Sequence, residues 1–334
     1  MQPSKNVLSE VVKQWGLSTQ IMPVRKVENW IYVDEINRCY IRLTEPTHRS
    51  LMQVESELDW MDFLFTCGIK VARPLKSQQG KLVEEVASNS GRFCVSVFEE
   101  AAGIALKQKE DFSPVRMKRW GQLIAELHAC TIDYQVPKNI DKRPDWDSES
   151  NYLRMKVLCD EKYEFYSKFN LLNNWLRKLP KDPEVYNLVH ADIHHGNFFV
   201  NQSNDLTLID FDDCHFHWFL YDLAVPIFHL SISLREQCLP SELDVLIKHM
   251  VESYAKTRKL ASYHLEALDN FVLLRHFVLY FWATHNLTQP SLNDSTKEWI
   301  KMAIDYCSAH INKFDYSQLT MPFSLYQELS SSVT

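Results

Sequence analysis

Three oxygen-bearing side chains stand at spacings that suit chemistry on a phosphorylated ligand: Asp192, Asn197 five positions on, and Asp210 thirteen beyond that. They lie in Val189-His190-Ala191-Asp192-Ile193-His194-His195-Gly196-Asn197, which continues through Phe198–Val200 and a polar turn, Asn201–Asp205, into Leu206-Thr207-Leu208-Ile209-Asp210-Phe211-Asp212-Asp213. Short apolar runs flank the loop and the turn, so the polar groups fall at strand ends. A carboxylate there can take the proton of an attacking hydroxyl, an effect worth roughly 10²–10⁴-fold in rate. An amide oxygen and a second carboxylate can hold Mg²⁺, a hard ion that prefers oxygen ligands. Phosphoryl transfer asks for that set and for little covalent work by protein. Asp192 is therefore read as the base, with Asn197 and Asp210 as the metal ligands.

His-x-Asp-x4-Asn followed by an aspartate closing an apolar strand is the arrangement of kinase catalytic loops. The chain resembles the aminoglycoside phosphotransferase and choline kinase superfamily, whose loop opens His-Gly-Asp or His-Ala-Asp and whose metal aspartate sits in Ile-Asp-Phe/Trp-Asp. Asp210–Asp213 and Tyr221-Asp222-Leu223-Ala224 look most like the bacterial branch of the stress-response Ser/Thr kinase, the spore-coat kinases and the homoserine-kinase-like enzymes. The resemblance covers roughly Val24 to Trp282. It implies ATP and Mg²⁺ as cofactors and an α+β, bilobal, protein-kinase-like fold: a small antiparallel β lobe with one helix, and a larger, mainly helical lobe. It also implies that Asp222 braces the loop and takes no direct part in the chemistry. His190 is expected to anchor the loop from behind, with His194 and His195 facing the site or solvent.

Two plainer readings compete. A lone Asp or Asn is usually a turn residue, but five elements in order speak against that here. His190, His194, His195, Cys214, His215 and His217 could suggest zinc, yet zinc sites pair ligands at tight spacing, and adjacent His194 and His195 cannot easily face one ion.

A kinase also needs a cation on the nucleotide phosphates, normally a strand Lys paired with a helix Glu. The strand Cys39–Leu43 carries Arg42 instead. Arg is permanently charged and can fork onto two oxygens; the plainer reading is a surface Arg on an edge strand. Its partner should lie on Ser50–Cys67, an amphipathic segment with Leu51, Val54, Leu58, Met61 and Phe65 on one face and Gly68 as the expected C-cap. Glu55 and Glu57 flank that face equally; the resemblance selects Glu57 through Ser56–Trp60. No glycine falls between Gly16 and Gly68, so there is no Gly-rich phosphate loop, although Glu28–Tyr32 resembles the superfamily's covering turn. The adenine is expected at Phe98, Glu99 and Glu100, near the lobe junction.

These groups need elements to position them. Val24–Val33 and Arg38–Thr44 suggest a hairpin around Asp34–Asn37. Val71–Pro74, Lys81–Val86 and Arg92–Phe98 read as further strands, with turns at Gln79-Gly80 and Asn89–Gly91. Helix follows at Ser113–Cys130, with Pro114 placed as a first-turn proline, in Tyr152–Leu179, and from Tyr221 to about His310. The boundaries are expected at 1–98 for the nucleotide lobe, 99–103 for a hinge and 104–334 for the helical lobe, with Ser330–Thr334 frayed.

The 334 residues are 46% hydrophobic, enough for a sizeable core. A net charge of -7 gives no general attraction to nucleic acid or anionic membranes. The eight cysteines form no CxxC pair and read as reduced thiols of a cytoplasmic protein. The start of the chain has no apolar stretch of signal-peptide type. Phe271–Ala283 is apolar but short and carries Arg275 and His276, so it reads as a buried helix rather than a membrane span. With seven glycines in the chain, each is expected where geometry needs it, Gly196 among them.

The acceptor must approach Asp192, with walls from the helical region: Trp218, Tyr221, Arg275, His276, Tyr280, Trp282 and His285 are candidates. The expected acceptor is a small hydroxylated molecule. The alternatives are a protein Ser/Thr hydroxyl or, from a different class, an inactive nucleotide-binding module.

Overall fold

The computed structural model describes residues 3–26, 28–88, 91–148, 164–260, 262–287 and 293–319. Ser330–Thr334, Asn89 and Ser90 of the expected turn, and the first part of the helix expected in Tyr152–Leu179 lie outside them. The chain forms two compact units, and neither is one continuous stretch. The first comprises Met1–Ala105, Ala129–Arg143 and Gly196–Cys214; the second comprises Leu106–His128, Pro144–His195 and His215–Thr334.

The first unit is built on an antiparallel sheet. Its strands are β1 (Met22–Lys26), β2 (Trp30–Asp34), β3 (Cys39–Thr44), β4 (Pro74–Leu75), β5 (Val83–Ser88) and β6 (Gly91–Glu99). The order is β1-β2-β3-β6-β4, with β5 also paired to β6. The segment expected as one strand before the hairpin is two, β1 and β2, which pair with each other. The Asp34 carboxylate organises the β2–β3 turn, accepting the backbone N–H groups of Ile36 and Asn37 at 3.1 Å, as Asp does in turns. β3 has neighbours on both sides, so Arg42 lies on an interior strand and is only 5% exposed. The edge-strand reading of Arg42 does not hold.

Two helices pack on this sheet where one was expected. α1 (Lys5–Trp15) is capped by the Ser4 hydroxyl and stopped by Gly16 at φ 67°. It buries only Val7 and Val11, against Ile41, Leu43, Val95 and Val97. Leu8 and Trp15 pack beside them, so the apolar stripe follows helical spacing. α2 (Leu51–Thr66) opens with a capping box between Ser50 and Gln53. Cys67 closes it, and Gly68 takes the left-handed position just after, at φ 87°. Val54, Leu58 and Met61 are buried as expected, but Trp60 and Leu64 join them while Phe65 stays 36% exposed under the Arg73 guanidinium.

Further along the chain, β7 (Tyr186–Val189) belongs to the second unit. The next two strands, β8 (Phe198–Val200) and β9 (Leu206–Leu208), pair as a ribbon within the first. In the second unit β7 pairs with β10 (His215–Trp218). Around them lie most of α3 (Pro114–Thr131), then α4 (Tyr166–Leu176), α5 (Phe219–Ser233), α6 (Pro240–Thr257), α7 (Ser262–Leu287) and α8 (Asp294–Lys313). Phe271, Phe277 and Phe281 of α7 are buried and meet Trp175 and Phe169 of α4. Among the described residues no helix is long and apolar enough to cross a membrane. The seven described cysteines are free thiols.

Gly103 shows what the scarce glycines do. The backbones of Ile104 and Val200 exchange two hydrogen bonds at 2.9 Å. Gly103 stands beside them at φ 137°, and a Cβ there would lie 2.4 Å from the Val200 carbonyl oxygen. Gly103→Ala is expected to destabilise the fold by about 2–4 kcal/mol through clash and backbone strain together. Gly80→Ala, at φ 80° with nothing within 4 Å, should cost only about 1 kcal/mol. Urea denaturation of the two variants checks this, and equal losses would refute the close-approach account.

Candidate active site

β7 delivers the chain to His190, which is fully buried, and Ala191, which turns it at φ 66°. Left-handed backbone is costly for a residue with a Cβ. It is held here by Asp222 in the first turn of α5, whose carboxylate accepts the N–H of His190 at 2.8 Å and of Ala191 at 2.7 Å. Asp222 is fully buried, and its carboxylate also accepts a hydrogen bond from the Nε2–H of buried His128 at 3.2 Å. The Tyr254 hydroxyl faces the other ring nitrogen at 3.0 Å. Burial lowers the His128 pKa, which keeps the ring neutral. The bracing expected of Asp222 is thus visible as geometry.

Asp192 follows, its side chain one-quarter exposed. One carboxylate oxygen accepts from Arg275 of α7 at 3.0 Å, and the other lies 3.4 Å from His194 Nε2. Burial alone would raise its pKa; His194 and the Arg275 guanidinium instead hold it well below the usual carboxylate range. Arg275 also donates to the Tyr221 hydroxyl and to His229 Nε2, both at 3.0 Å. A guanidinium has no acceptor, so His229 Nε2 must be unprotonated. Burial, with the charges of His194 and Arg275, lowers its pKa accordingly. Asp192, His194 and His229 come close enough to share a metal ion, but Arg275 already supplies the positive charge there. Tyr221 stacks on His217 at 4.2 Å. Trp218 is placed elsewhere: it is buried among Trp146, Tyr186 and Phe271, with its indole N–H on the Pro180 carbonyl.

The loop then passes into the first unit. β8 starts directly after Asn197 and β9 ends two residues before Asp210. The Ile209 N–H donates to the Asn197 carbonyl at 2.9 Å, extending the ribbon by one step. Antiparallel register therefore brings Asn197 and Asp210 to the same ribbon end. Asp210 is again left-handed, at φ 63°. Its neighbour Asp212 is spent on structure. His48 Nε2 lies 2.8 Å and Arg49 Nε 3.3 Å from its carboxylate, while Arg49 and Arg143 donate to its backbone carbonyl at 3.1 and 2.8 Å. Burial would raise the Asp212 pKa, but His48, Arg49 and Arg42 together drive it far down. Asp210 has the opposite fate. Burial and the charge of Asp212 push it up to about 6, against partial relief from Arg42 and Arg25.

Asp210 lines a cavity of about 410 Å³, within the range of small-molecule sites. Arg42 and Glu57 form one wall as a fork, with nitrogen–oxygen distances of 2.7 and 2.9 Å. Glu57 is 1% exposed. The Arg42 guanidinium lies 5.1 Å from the Phe98 ring centre. Phe98, Glu99 and Ala101 line the cavity, as do Glu28, Asn29 and Ile31 of the expected covering turn. Glu100 points away, paired with Arg38 at 2.9 Å. Sequence reasoning missed Arg25, His48, Arg49, Arg143 and His229. Arg25 alone had a signal, a cation beside the covering turn; the others act across 46 to 164 positions.

This fold and site define a protein-kinase-like phosphotransferase. Residues 27–250 match the model of the Phosphotransferase enzyme family, and the chain belongs to that family and is a kinase. Amicoumacin kinase of Bacillus subtilis (strain 168) is 30% identical over 305 residues, 89% of each chain. The solved structure of amicoumacin kinase hAmiN in complex with AMP-PNP, Ca²⁺ and Ami matches with TM-score 0.81 and 25% identity, over 96% of this chain and 98% of that one. The microcompartment-associated aminopropanol kinase is similar in fold, with TM-score 0.70 and 20% identity over 92% and 95% of the two chains.

Two outcomes follow from the geometry. Asp222→Ala leaves two buried N–H groups and His128 without their acceptor. It is expected to cost about 3–5 kcal/mol in urea unfolding, with Asp222→Asn losing less; a loss under about 1 kcal/mol would contradict the bracing. For Asp210 the folded carboxyl at about 6 stands above its ordinary 3.8, so ionisation costs stability as pH rises from 4 through 6. Asn tolerates left-handed backbone. Asp210→Asn should therefore raise the melting temperature of nucleotide-free protein in EDTA at pH 7.5, by a margin on the order of 1–2 kcal/mol. The margin should shrink as pH falls through 6; a gain independent of pH would refute the electrostatic cause.

Proposed function

We propose that the protein moves the γ-phosphate of ATP, with Mg²⁺ as the divalent ion, to a hydroxyl of a small molecule. Asp210 carries this reading: it is a carboxylate short of positive charge, on a cavity that also holds the Arg42–Glu57 fork. Oxygen donors from Asn197 and Asp210 suit a hard dication, and the raised pKa of Asp210 marks a place where such an ion is welcome. When bound, the ion would offset charge on the phosphate oxygens. Arg42, held by Glu57, would meet the nucleotide phosphates, with Phe98, Glu99 and Ala101 beside the base. Residues 99–103 would form the hinge between a nucleotide part, 1–98, and an acceptor part, 104–334.

Asp192 would orient the acceptor hydroxyl and take its proton as the new O–P bond forms. Arg275 and His194 keep that carboxylate ionised, so it is ready at neutral pH. Its low basicity suits a loose transition state, in which the proton leaves late. Arg275 then acts by holding Asp192 and Tyr221. The amicoumacin kinases support a small-molecule acceptor, and the AMP-PNP and Ca²⁺ of the hAmiN complex support a nucleotide with a divalent ion.

The test is ATP consumption against amino alcohols, sugars and hydroxylated antibiotics, with Asp192→Asn beside the wild type. The variant should turn over at least about 10²-fold more slowly while binding MgATP unchanged. Equal turnover would end the assignment of Asp192. MgATP at a hundred times its Kd should stabilise the fold by about 2.7 kcal/mol; no thermal shift would end the ATP reading.

A further inference from the structure

We propose that Arg25 is a further phosphate-binding cation of the cavity beside Arg42, resting on Asp210 in the ligand-free protein and transferring to the terminal phosphates of the nucleotide once a divalent ion takes Asp210. This rests on the nucleotide reading above. The first support is backbone geometry. Pro23 pairs with Tyr32 and Arg25 with Ile31, so Val24 is an extra residue on β1. Regular alternation would send Val24 and Arg25 to opposite faces. Across this bulge both line the cavity, and re-aiming a side chain is what bulges do beside sites.

The second support is contact. The Arg25 guanidinium reaches 3.2 Å from Asp210, in a pair whose side chains are 55% and 33% exposed. Such a pair is weak and yields readily to a dication. The third is charge. The cations lining the cavity are Arg25 and Arg42, against Glu28, Glu57, Glu99 and Asp210. Both terminal nitrogens of Arg42 donate to Glu57, so that pair largely cancels. A triphosphate would meet three further carboxylates and one further cation, Arg25. The fourth is the absence of glycine from Leu17 to Cys67. A Gly-rich turn brings backbone N–H groups onto phosphate oxygens; a forked, permanently charged side chain supplies the same donors from a turn that lacks them.

Arg25→Gln and Arg25→Lys in the full chain test this by binding alone. Calorimetry should find MgATP bound about tenfold or more weakly by Arg25→Gln, with Arg25→Lys between and adenosine unchanged. Without nucleotide, Mn²⁺ should bind Arg25→Gln several-fold more tightly than wild type, because the competitor for Asp210 is gone. A merely structural residue would not move the two affinities in opposite directions. An unchanged MgATP affinity, or weaker Mn²⁺ binding, would overturn the role of Arg25 alone. Wild-type protein that bound neither MgATP nor Mn²⁺ would overturn the nucleotide reading and this inference with it.

Discussion

The two hydrogen bonds that Asp222 accepts from His190 and Ala191 fix the start of the loop that carries Asp192. Ala191 is in a backbone region that residues with a Cβ avoid. Without an anion behind it, the turn would relax and two buried N–H groups would go unpaired. Because the carboxylate is fully buried, it needs partners as much as they need it. His128, kept neutral by burial, supplies a third donor without adding a charge. A proline at position 226, four residues after Asp222 in α5, adds no N–H to the helix ladder at that point. One side chain thus converts a strand end into a defined turn from which Asp192 projects.

Geometry confined to a short stretch of chain is legible in the amino-acid sequence alone. Asp192, Asn197 and Asp210 are spaced by a loop and a two-stranded ribbon, and antiparallel register does the rest. The α+β character and most elements follow from periodicity, as does the burial of most of Phe271–Ala283, although Trp282 within it is exposed. What periodicity cannot reach is anything set by long-range packing. Glu55 and Glu57 both flank the apolar face of α2, and it is Glu57 that is buried, against Arg42 of β3. Trp218 reads as a wall residue because aromatic composition does not distinguish core from site; its indole is tied to Pro180. The clamps on Asp212 come from residues 69 to 164 positions away, and no local pattern announces them.

Asp210 and Asp212 are two residues apart and have opposite electrostatic surroundings. His48, Arg49 and Arg143 converge on the second and leave the first. His48, Arg49 and Arg143 are held at Asp212 by hydrogen bonds, and only Arg42 acts on both carboxylates. The clamp therefore does two things: it holds the segment after β9 in place, and it leaves the neighbouring carboxylate short of positive charge, as the proposed metal role requires.

Asp192 shows the complementary solution. There the protein brings its own cation, Arg275, on a helix whose other inward residues are almost all apolar, and backs it with Tyr221 and His229. A base and a metal ligand are both carboxylates, so residue type cannot separate their roles. Their partners can. A carboxylate already matched by a fixed guanidinium has no deficit for a metal to fill, yet its lone pairs remain able to receive a hydroxyl proton. One pushed up to about 6 by burial and a neighbouring acid has the deficit, and gains from a dication the stabilisation its own protein withholds. The proposed division of labour between Asp192 and Asp210 rests on where the arginines stand, which is why a weakly held one, Arg25, is the residue chosen to test the proposed metal end.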